Sequence, residues 1–491
     1  MAVLRLAFAT LLALSLAAFA AIAGRTLLYP HEVVVSEGAV RLATETWAHG
    51  RDLWAPDRLT DAPFAIAHYT PLYYLFTRAV QTVTGEGFLA GRLVSVLFTV
   101  LTACAAGWIA RRETGRTWAG FIAGSVWLSF YAVAFWGTAH RVDAPGIFFE
   151  AVGIGTYLAA RRAGRDGYGA IPWFVAAWCV KQVMFVGLVA VLLDVALDRN
   201  RGPLRAARYA ALAWGPILAL FGLWTWWSDG GFWSATVLGT VSKDADTPWV
   251  VVSNAERFFG SPWSLATFLA GIAAAVFFPR RNFLGVYLLT GIVLAIVTDA
   301  NFPRFFPPAL AAAILVAILL VDLEAHPKAN EFALASLSLV LFAHLGWEMR
   351  PLFRERALNL TPSNTRLDAA AWLRAKVPEG RPVLAQDVGM LLSAERPVTV
   401  ADPLVYSILV GNGAWDPEVL AKGIREGAYG AVVLNRPLEE LNDREWTTLW
   451  ISGPARRALA ERYRLLDTFT IGQSWVFLEP TRYLYVPKEA P

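Results

Sequence analysis

The chain contains little cysteine and little charge. Its two cysteines, Cys104 and Cys179, both lie in apolar segments, and no CxxC or Cys/His spacing occurs. The sequence therefore suggests no zinc site, and buried cysteines of this kind behave as small hydrophobic residues. Only 17% of the 491 residues are charged, whereas 56% are hydrophobic. With a mean hydropathy of +0.45, this composition excludes an ordinary soluble protein and indicates a polytopic membrane protein.

Repeats and low-complexity tracts are also absent, so the sequence does not indicate a repeat architecture. The net charge of +4 comes mostly from arginines between apolar segments, and nucleic acid is not expected as a partner. The 21 tryptophans are instead typical of the belts at membrane interfaces.

Lysine is scarce as well, and Lys181 is the first of only six. It stands with Gln182 inside the apolar stretch Trp173–Leu193. A lysine in such a stretch is costly unless it has a partner or reaches water, so Lys181 is a functional-site candidate. Arginines flank the stretch on both sides, which places both flanks in the cytoplasm. The pattern predicts a hairpin of two short helices with Lys181 at its non-cytoplasmic tip. The alternative is one long tilted helix with Lys181 paired or snorkelling.

Charge-poor windows predict about eleven membrane spans, counting the first helix and the two arms of the hairpin. The other windows are Leu93–Ala110, Thr117–Ala139, Ala144–Ala160, Tyr209–Ser228, Ser261–Pro279, Asn282–Thr298, Phe305–Val321 and Phe332–Trp347. The loops alternate between an arginine-rich inside set and an outside set. The outside set consists of residues 31–85, 140–143, the Lys181 tip, 229–260 and 299–304.

The apolar run Leu6–Gly24 is long enough for a first spanning helix. The residues Ala21-Ile22-Ala23 before Gly24 resemble a signal-peptidase site, so a cleaved signal peptide is the alternative. The loop that follows lies outside in either case.

The composition changes after about residue 350. Residues 351–491 are predicted to form a soluble α/β domain on the outside. Pro382–Ala385 and Ala431–Leu434 are typical of buried strands, and Leu367–Lys376 and Glu418–Glu426 have helical spacing. Trp475–Leu478 and Tyr483–Tyr485 are predicted to be closing strands.

Four candidate site residues come from the first two outside loops. Glu37 follows a β-branched run soon after the first helix, where a carboxylate can act as a general base on a hydroxyl. His68 precedes an aromatic stretch, residues 69–76, that suits the membrane interface, and it either binds phosphate or metal or has a structural role. Arg141 and Asp143 form an ion pair that fixes their turn, or contribute to an anion site.

A further turn runs from Asn301 to Pro308 directly into a span, and Arg304 is its only basic residue. A planar guanidinium suits phosphate. Lys181, Arg304 and Arg141 are thus expected on the same membrane face as Glu37. Cations beside a carboxylate are what transfer from a lipid-phosphate donor requires.

The order of these motifs resembles that of a known family. The matching segments are Ser36-Glu37-Gly38, Thr70-Pro71-Leu72-Tyr73-Tyr74, Gly91-Arg92-Leu93, Arg141-Val142-Asp143, Lys181-Gln182 and Asn301 to Pro307. They resemble the polyprenyl-phosphate-sugar-dependent glycosyltransferases of the membrane GT-C class, specifically glycosyltransferase family 39 and its ArnT-like, dolichyl-phosphate-mannose-protein mannosyltransferase-like members. The resemblance covers about residues 1–350.

The chain departs from the family at two positions. Ser36 replaces the aspartate of the family's Asp-Glu pair, and Tyr69 stands where the family has lysine. Because of these changes, the family's phosphate-binding contacts and its metal site do not transfer directly to this chain. The resemblance therefore assigns no cofactor, and a divalent cation is the alternative that stays open. The resemblance implies that Lys181 and Arg304 carry more of the phosphate binding, with Asp143, His68, Tyr69, Gln182 and Asn301 shaping the site.

The resemblance implies an inverting glycosyltransferase with an N-terminal catalytic domain, residues 1–350, in a bacterial inner membrane. The donor would be a polyprenyl-phosphate-linked sugar, and the acceptor a lipid, glycan or protein hydroxyl at the periplasmic face. Glu37 would be the base. Two other classes stay open: a lipid transporter or flippase, and a non-catalytic scaffold for envelope assembly.

Overall fold

The computed structural model describes residues 2–34, 36–55, 63–64, 67–197, 203–240, 251–252, 254–256, 259–278, 282–297, 305–358, 365–411, 413–441, 451, 453–470 and 481–488. The first helices are α1 (Ala2–Leu28), α2 (Glu37–Ala48), α3 (Leu72–Thr84), α4 (Phe88–Thr114), α5 (Thr117–Ser129), α6 (Tyr131–Trp136), α7 (Asp143–Arg162), α8 (Ile171–Val180) and α9 (Val186–Leu197). They are followed by α10 (Pro203–Trp227), α11 (Gly231–Thr236), α12 (Pro262–Phe277), α13 (Asn282–Val297), α14 (Phe306–Asp322) and α15 (Pro327–His344).

Helix α14 lies at the centre of the bundle. Its residues from Phe306 to Leu320 are all buried, which agrees with an apolar sequence on every face. Small residues let the surrounding helices approach closely. A Cβ atom on Gly107 of α4 would lie 2.8 Å from the carbonyl oxygen of Gly120 on α5. Close packing at small residues is the usual way in which helices associate in lipid.

Among the described residues, five helices are long and apolar enough to cross a membrane. They are Ala2–Leu28, Phe88–Thr114, Pro203–Trp227, Phe306–Ala325 and Pro327–Leu358. Shorter apolar helices accompany them, so the count of about eleven spans stays a prediction. The window Thr117–Ala139 was expected to be one segment, but it divides into α5 and α6 at Phe130, whose backbone is extended.

The stretch around Lys181 forms two short helices, as predicted, and the alternative of one long helix is wrong. The backbone of Lys181 is extended, which ends α8, and α9 begins at Val186. Helix α8 approaches the start of α7, where Lys181 contacts Asp143. Helix α9 returns toward the end of α7, where the Tyr157 hydroxyl donates to Asp194. The two arms therefore make a hairpin along α7, with Lys181 at its tip.

The bundle is followed by an α/β unit. Helix α15 continues through π-helical turns at Leu345–Met349 and Arg354–Leu358, around the single turn Arg350–Phe353, so helix extends beyond residue 350. The unit contains α16 (Thr365–Lys376), β1 (Val383–Ala385), α17 (Val388–Ser393), α18 (Pro403–Gly411), α19 (Pro417–Arg425), β2 (Ala431–Leu434), α20 (Gly453–Arg462), β3 (Tyr463–Thr470) and β4 (Thr481–Pro487). The predicted strands at 382–385, 431–434 and 483–485 and both predicted helices are confirmed. Strand β3 was not predicted. The remaining predicted strand, at residues 475–478, lies outside the described residues.

The four strands form one mixed sheet in the order β1-β2-β4-β3. Strands β1 and β2 are parallel, with Val383 opposite Ala431, and the other pairs are antiparallel. Helices cover both faces with separate apolar cores. Every residue of β1 and β2 is buried, which explains their unbroken apolar sequences.

The α/β unit packs directly on the first loop of the bundle. Phe64 pairs with Val400 as an isolated parallel bridge, and its ring lies among Tyr406 and Trp415 in one of the unit's cores. A Cβ atom on Gly38 would lie 2.8 Å from the backbone nitrogen of Gly389, so α2 and α17 meet backbone to backbone. The loop and the α/β unit therefore form one continuous structure beside the end of the bundle.

We expect Phe64→Ala to weaken this attachment, because emptying a packed aromatic site costs about 3–5 kcal/mol. The thermal unfolding midpoint should fall, and hydrogen exchange at Val398–Ala401 should accelerate. Leu404→Ala is the matched control, since Leu404 is 44% exposed on the neighbouring helix α18. Equal stability of the two variants would contradict this account of the docking.

Candidate active site

A buried ion pair supports the end of the bundle that carries Lys181. Arg92 of α4 donates to both carboxylate oxygens of Glu37, at 2.9 and 2.7 Å, and both side chains are fully buried. Arg92 also donates to the carbonyl oxygens of Thr26, Tyr29 and His31. The pair thus fastens the end of α1 and the start of α2 to α4.

Glu37 accepts two further hydrogen bonds. They come from the backbone N–H groups of Val33, at 2.7 Å, and His140, at 2.6 Å. Burial acts to raise the pKa of Glu37, but the Arg92 charge and these hydrogen bonds outweigh it and hold the pKa at about 2. A general base must touch the hydroxyl that it deprotonates. The burial and the four hydrogen bonds therefore favour an anchoring role for Glu37, and the base role predicted from the sequence stays a prediction.

Ser36, which precedes Glu37, connects the Glu37–Arg92 pair to a second group of charged residues. The Ser36 hydroxyl accepts a hydrogen bond from Arg141. Arg141 also donates its Nε–H to Asp143 at 3.2 Å, and Lys181 Nζ donates to the other oxygen of Asp143 at 2.6 Å. We call Ser36, Arg141, Asp143 and Lys181 the cationic cluster. Within this cluster two cations share one carboxylate.

Local structure explains how these charges are held at the end of the bundle. Asp143 is the first residue of α7, where the helix dipole favours a negative charge. The break after Val180 lets Lys181 leave the apolar interior and reach that helix end. The Lys181 ammonium also lies 5.4 Å from the centre of the Tyr69 ring, a favourable cation–π distance. The predicted Arg141–Asp143 ion pair is confirmed.

The hairpin tip is fastened to the first loop by polar contacts. Gln182 donates from Nε2 to the backbone oxygens of His68, at 2.7 Å, and Thr236, at 3.1 Å. The Thr70 hydroxyl donates to the backbone oxygen of Trp178 at 2.9 Å. The segment around His68 therefore lies against the tip, and the structure brings His68, Tyr69 and Gln182 beside the cationic cluster.

The α/β unit contributes one charged residue to this site. Asp402 Oδ2 lies 3.3 Å from Nδ1 of His68, and their side chains are 10% and 16% exposed. Asp402 Oδ1 accepts from the backbone N–H groups of Leu404 and Val405 at the start of α18. Burial raises the pKa of Asp402 to about 6, against those hydrogen bonds and the charge of Arg141.

Two residues of the site were not found from the sequence. Arg92 belongs to the segment Gly91-Arg92-Leu93 that carried the family resemblance, but its pairing with Glu37 was not expected. Asp402 precedes proline and an apolar run, which is the ordinary signature of a helix start and indicates nothing about function. Arg304 and Asn301, both predicted site residues, lie outside the described residues.

Within the described ranges, no group of three or more His, Cys, Asp or Glu side chains is placed to hold a metal ion. The acids of the site instead face cations, backbone amides and one histidine.

Comparison of the helical bundle and its α/β unit with solved structures shows the class of fold, which is of the GT-C type. Among solved structures the chain is similar to ArnT from Cupriavidus metallidurans. The apo structure of ArnT matches with a TM-score of 0.58 at 14% identity over 97% of both chains. The structure of ArnT bound to undecaprenyl phosphate matches with a TM-score of 0.55 at 14% identity, again over 97% of both chains. A weaker likeness, with a TM-score of 0.47, links 97% of this chain to 74% of an Archaeoglobus fulgidus oligosaccharyltransferase at 14% identity.

No protein-family model matches the sequence, and no curated protein does. At these identities the likeness shows the ArnT-like fold and leaves the activity to be argued from the site.

Glu37→Gln distinguishes the anchoring role from the base role. As an anchor, the variant leaves the Arg92 guanidinium buried without a counter-charge, which costs about 3–5 kcal/mol. We expect a lower thermal unfolding midpoint and a smaller yield of folded protein. Glu45→Gln is the control, because Glu45 lies on the same helix and pairs with Arg41, whose side chain is 20% exposed and so still reaches water when the pair is broken. A Glu37→Gln protein that is inactive but as stable as wild type would support the base role instead.

Proposed function

We propose that this chain is a membrane glycosyltransferase that transfers a sugar from a polyprenyl-phosphate-linked donor to a hydroxyl of a lipid, glycan or protein. The observation that carries the proposal is the cationic cluster, in which Lys181 and Arg141 share Asp143 at the end of an apolar bundle. A lipid chain lying along such a bundle would present its phosphate at the bundle end, where the cluster lies.

The cluster has the chemistry to hold a phosphate. Lys181 has three N–H donors and Arg141 has five, and both side chains are positively charged. Charge-assisted hydrogen bonds to phosphate oxygens are among the stronger ones in proteins. Asp143 keeps both cations in position, so little reorganisation is required when the phosphate arrives.

The fold supports the same class of ligand. A protein of similar fold, ArnT, has been crystallised with undecaprenyl phosphate. We infer that this chain takes a donor of that chemical class. The sugar and the acceptor are open in this proposal.

In the proposed reaction, the acceptor hydroxyl oxygen forms a bond to the anomeric carbon while the bond from that carbon to the phosphate oxygen breaks. Attack opposite the leaving group inverts the configuration. The phosphate gains negative charge as it leaves, and Lys181 and Arg141 stabilise that charge. Arg304, predicted beside them, would add a third cation. We place the reaction at the periplasmic face of a bacterial inner membrane, as the loop charges predict.

We expect Lys181→Ala to weaken binding of undecaprenyl phosphate about 10- to 100-fold, because a hydrogen bond to a charged group contributes about 1.5–3 kcal/mol. Transfer from polyprenyl-phosphate sugars should fall at least as much. Binding is measured on protein in lipid nanodiscs, and transfer with radiolabelled donors and a membrane lipid extract as acceptor.

Lys328→Ala is the matched control, since Lys328 is exposed in the first turn of α15. The control should bind and transfer as wild type does. Wild-type protein that binds undecaprenyl phosphate but transfers no sugar from any donor would favour lipid transport. Equal binding by Lys181→Ala and wild type would contradict the assignment of the phosphate site.

A further inference from the structure

We infer that His68 and Asp402 form a proton-accepting pair. Because Asp402 belongs to the α/β unit, that unit completes the active site. His68 would accept the proton of the acceptor hydroxyl, and Asp402 would orient the imidazole. This inference rests on the proposed glycosyl transfer and adds to it the group that activates the acceptor.

Two other carboxylates in the described part of the site, those of Glu37 and Asp143, are held by cations. Glu37 accepts from both arms of the Arg92 guanidinium, and Asp143 accepts from Lys181 and Arg141. Asp402 differs from both, because its contacts are two backbone amides and one imidazole. A carboxylate that accepts a hydrogen bond from Nδ1–H of a histidine fixes the tautomer of the ring, as in the Ser-His-Asp arrangement. Asp402 Oδ2 lies 3.3 Å from Nδ1 of His68, within reach of such a bond once the ring aligns with it. That tautomer leaves Nε2 as the proton acceptor.

The position of His68 suits a base beside the donor. Its backbone oxygen is held by Gln182 at the hairpin tip, next to Lys181. The ring packs against Tyr69, at 3.8 Å between centroids, and Tyr69 in turn lies over Lys181. The imidazole is therefore at the edge of the cationic cluster, where an acceptor hydroxyl would approach the sugar.

The α/β unit delivers Asp402 through backbone pairing with the same loop. The Phe64 N–H donates to the Thr399 oxygen at 2.7 Å, and the Ala401 N–H donates to the Phe64 oxygen at 2.9 Å. Asp402 follows Ala401 directly, and His68 is four residues after Phe64. One bridge thus sets the register of both members of the pair.

The charges around His68 connect its basicity to the donor. Burial and the positive charges of Lys181 and Arg141 lower the pKa of His68 to about 3, against the opposing charge of Asp143. The imidazole is therefore neutral before the donor binds. A donor phosphate bound to Lys181 and Arg141 would offset their charges and raise the proton affinity of His68. The base would gain strength when the donor is in place.

The proposed step is balanced without a further reactant. The acceptor O–H bond breaks, its proton forms a bond to Nε2 of His68, and the oxygen bonds to the anomeric carbon. The electron pair of the broken glycosidic bond stays on the phosphate oxygen. The imidazolium is stabilised by Asp402 and returns its proton to water or to the departing lipid phosphate.

A purely structural role for Asp402 makes a different prediction. Asp402 is also a helix cap, because its side chain accepts from N–H groups at the start of α18. Asparagine caps a helix about as well as aspartate. Asp402→Asn therefore keeps the cap and removes the carboxylate opposite His68. Asp416→Asn is the matched control, since Asp416 caps α19 in the same way, away from the site.

The experiment compares wild type, His68→Gln, Asp402→Asn and Asp416→Asn in nanodiscs, with undecaprenyl-phosphate-linked sugars as donors. We expect kcat to fall about 100-fold or more in His68→Gln and about tenfold or more in Asp402→Asn. The donor KM should stay within about twofold, and Asp416→Asn should behave as wild type. Solid-state NMR of protein labelled with ¹⁵N-histidine should show the Nδ1–H tautomer of His68 in wild type and its loss in Asp402→Asn.

Each outcome decides the inference. Full activity and an unchanged His68 tautomer in Asp402→Asn, beside an active wild type, would overturn the inference and leave the proposed function intact. Equal loss of activity and thermal stability in Asp402→Asn would assign Asp402 to structure alone. If wild-type protein transferred sugar from no donor, the proposed function would fail, and the base role of His68 with it.

Discussion

The buried pair of Glu37 and Arg92 is the interaction on which the end of the bundle depends. Two charges taken out of water are stable only if their remaining donors and acceptors are satisfied. Here the carboxylate accepts from Arg92 and from two backbone N–H groups, while the guanidinium also reaches carbonyl oxygens at the end of α1. One pair thereby fixes α1, α2, α4 and the His140 turn, and so sets the positions of the adjacent residues Ser36 and Arg141.

The charges of the cationic cluster also need partners, and they find them in a shared carboxylate. A lysine in an apolar segment must find a partner, and the break between α8 and α9 takes Lys181 to Asp143 at the start of α7. A second cation, Arg141, shares the same carboxylate. The two cations are thereby held in place at the end of an apolar bundle, which suits the lipid phosphate of the proposed function.

The sequence predicted the features that follow from local composition, such as the free-energy cost of a lysine in an apolar segment and the charges of the flanking loops. The hairpin followed from one lysine between two arginine-rich flanks, and the two buried strands of the α/β unit followed from short apolar runs. The Glu37–Arg92 pair joins residues far apart in the chain, so no local pattern indicates it. Asp402 looks like an ordinary helix cap, and only the bridge between Phe64 and Val400 places it beside His68. Tertiary contacts decide both cases.

The most direct test of the central claim is an experimental structure of the protein in nanodiscs with undecaprenyl phosphate bound. We predict that the phosphate oxygens lie within hydrogen-bonding distance, about 3 Å, of Lys181 Nζ and the Arg141 guanidinium. His68 should face the same space and keep its contact with Asp402. A phosphate bound elsewhere on the bundle, with the cationic cluster closed and unchanged, would contradict the account.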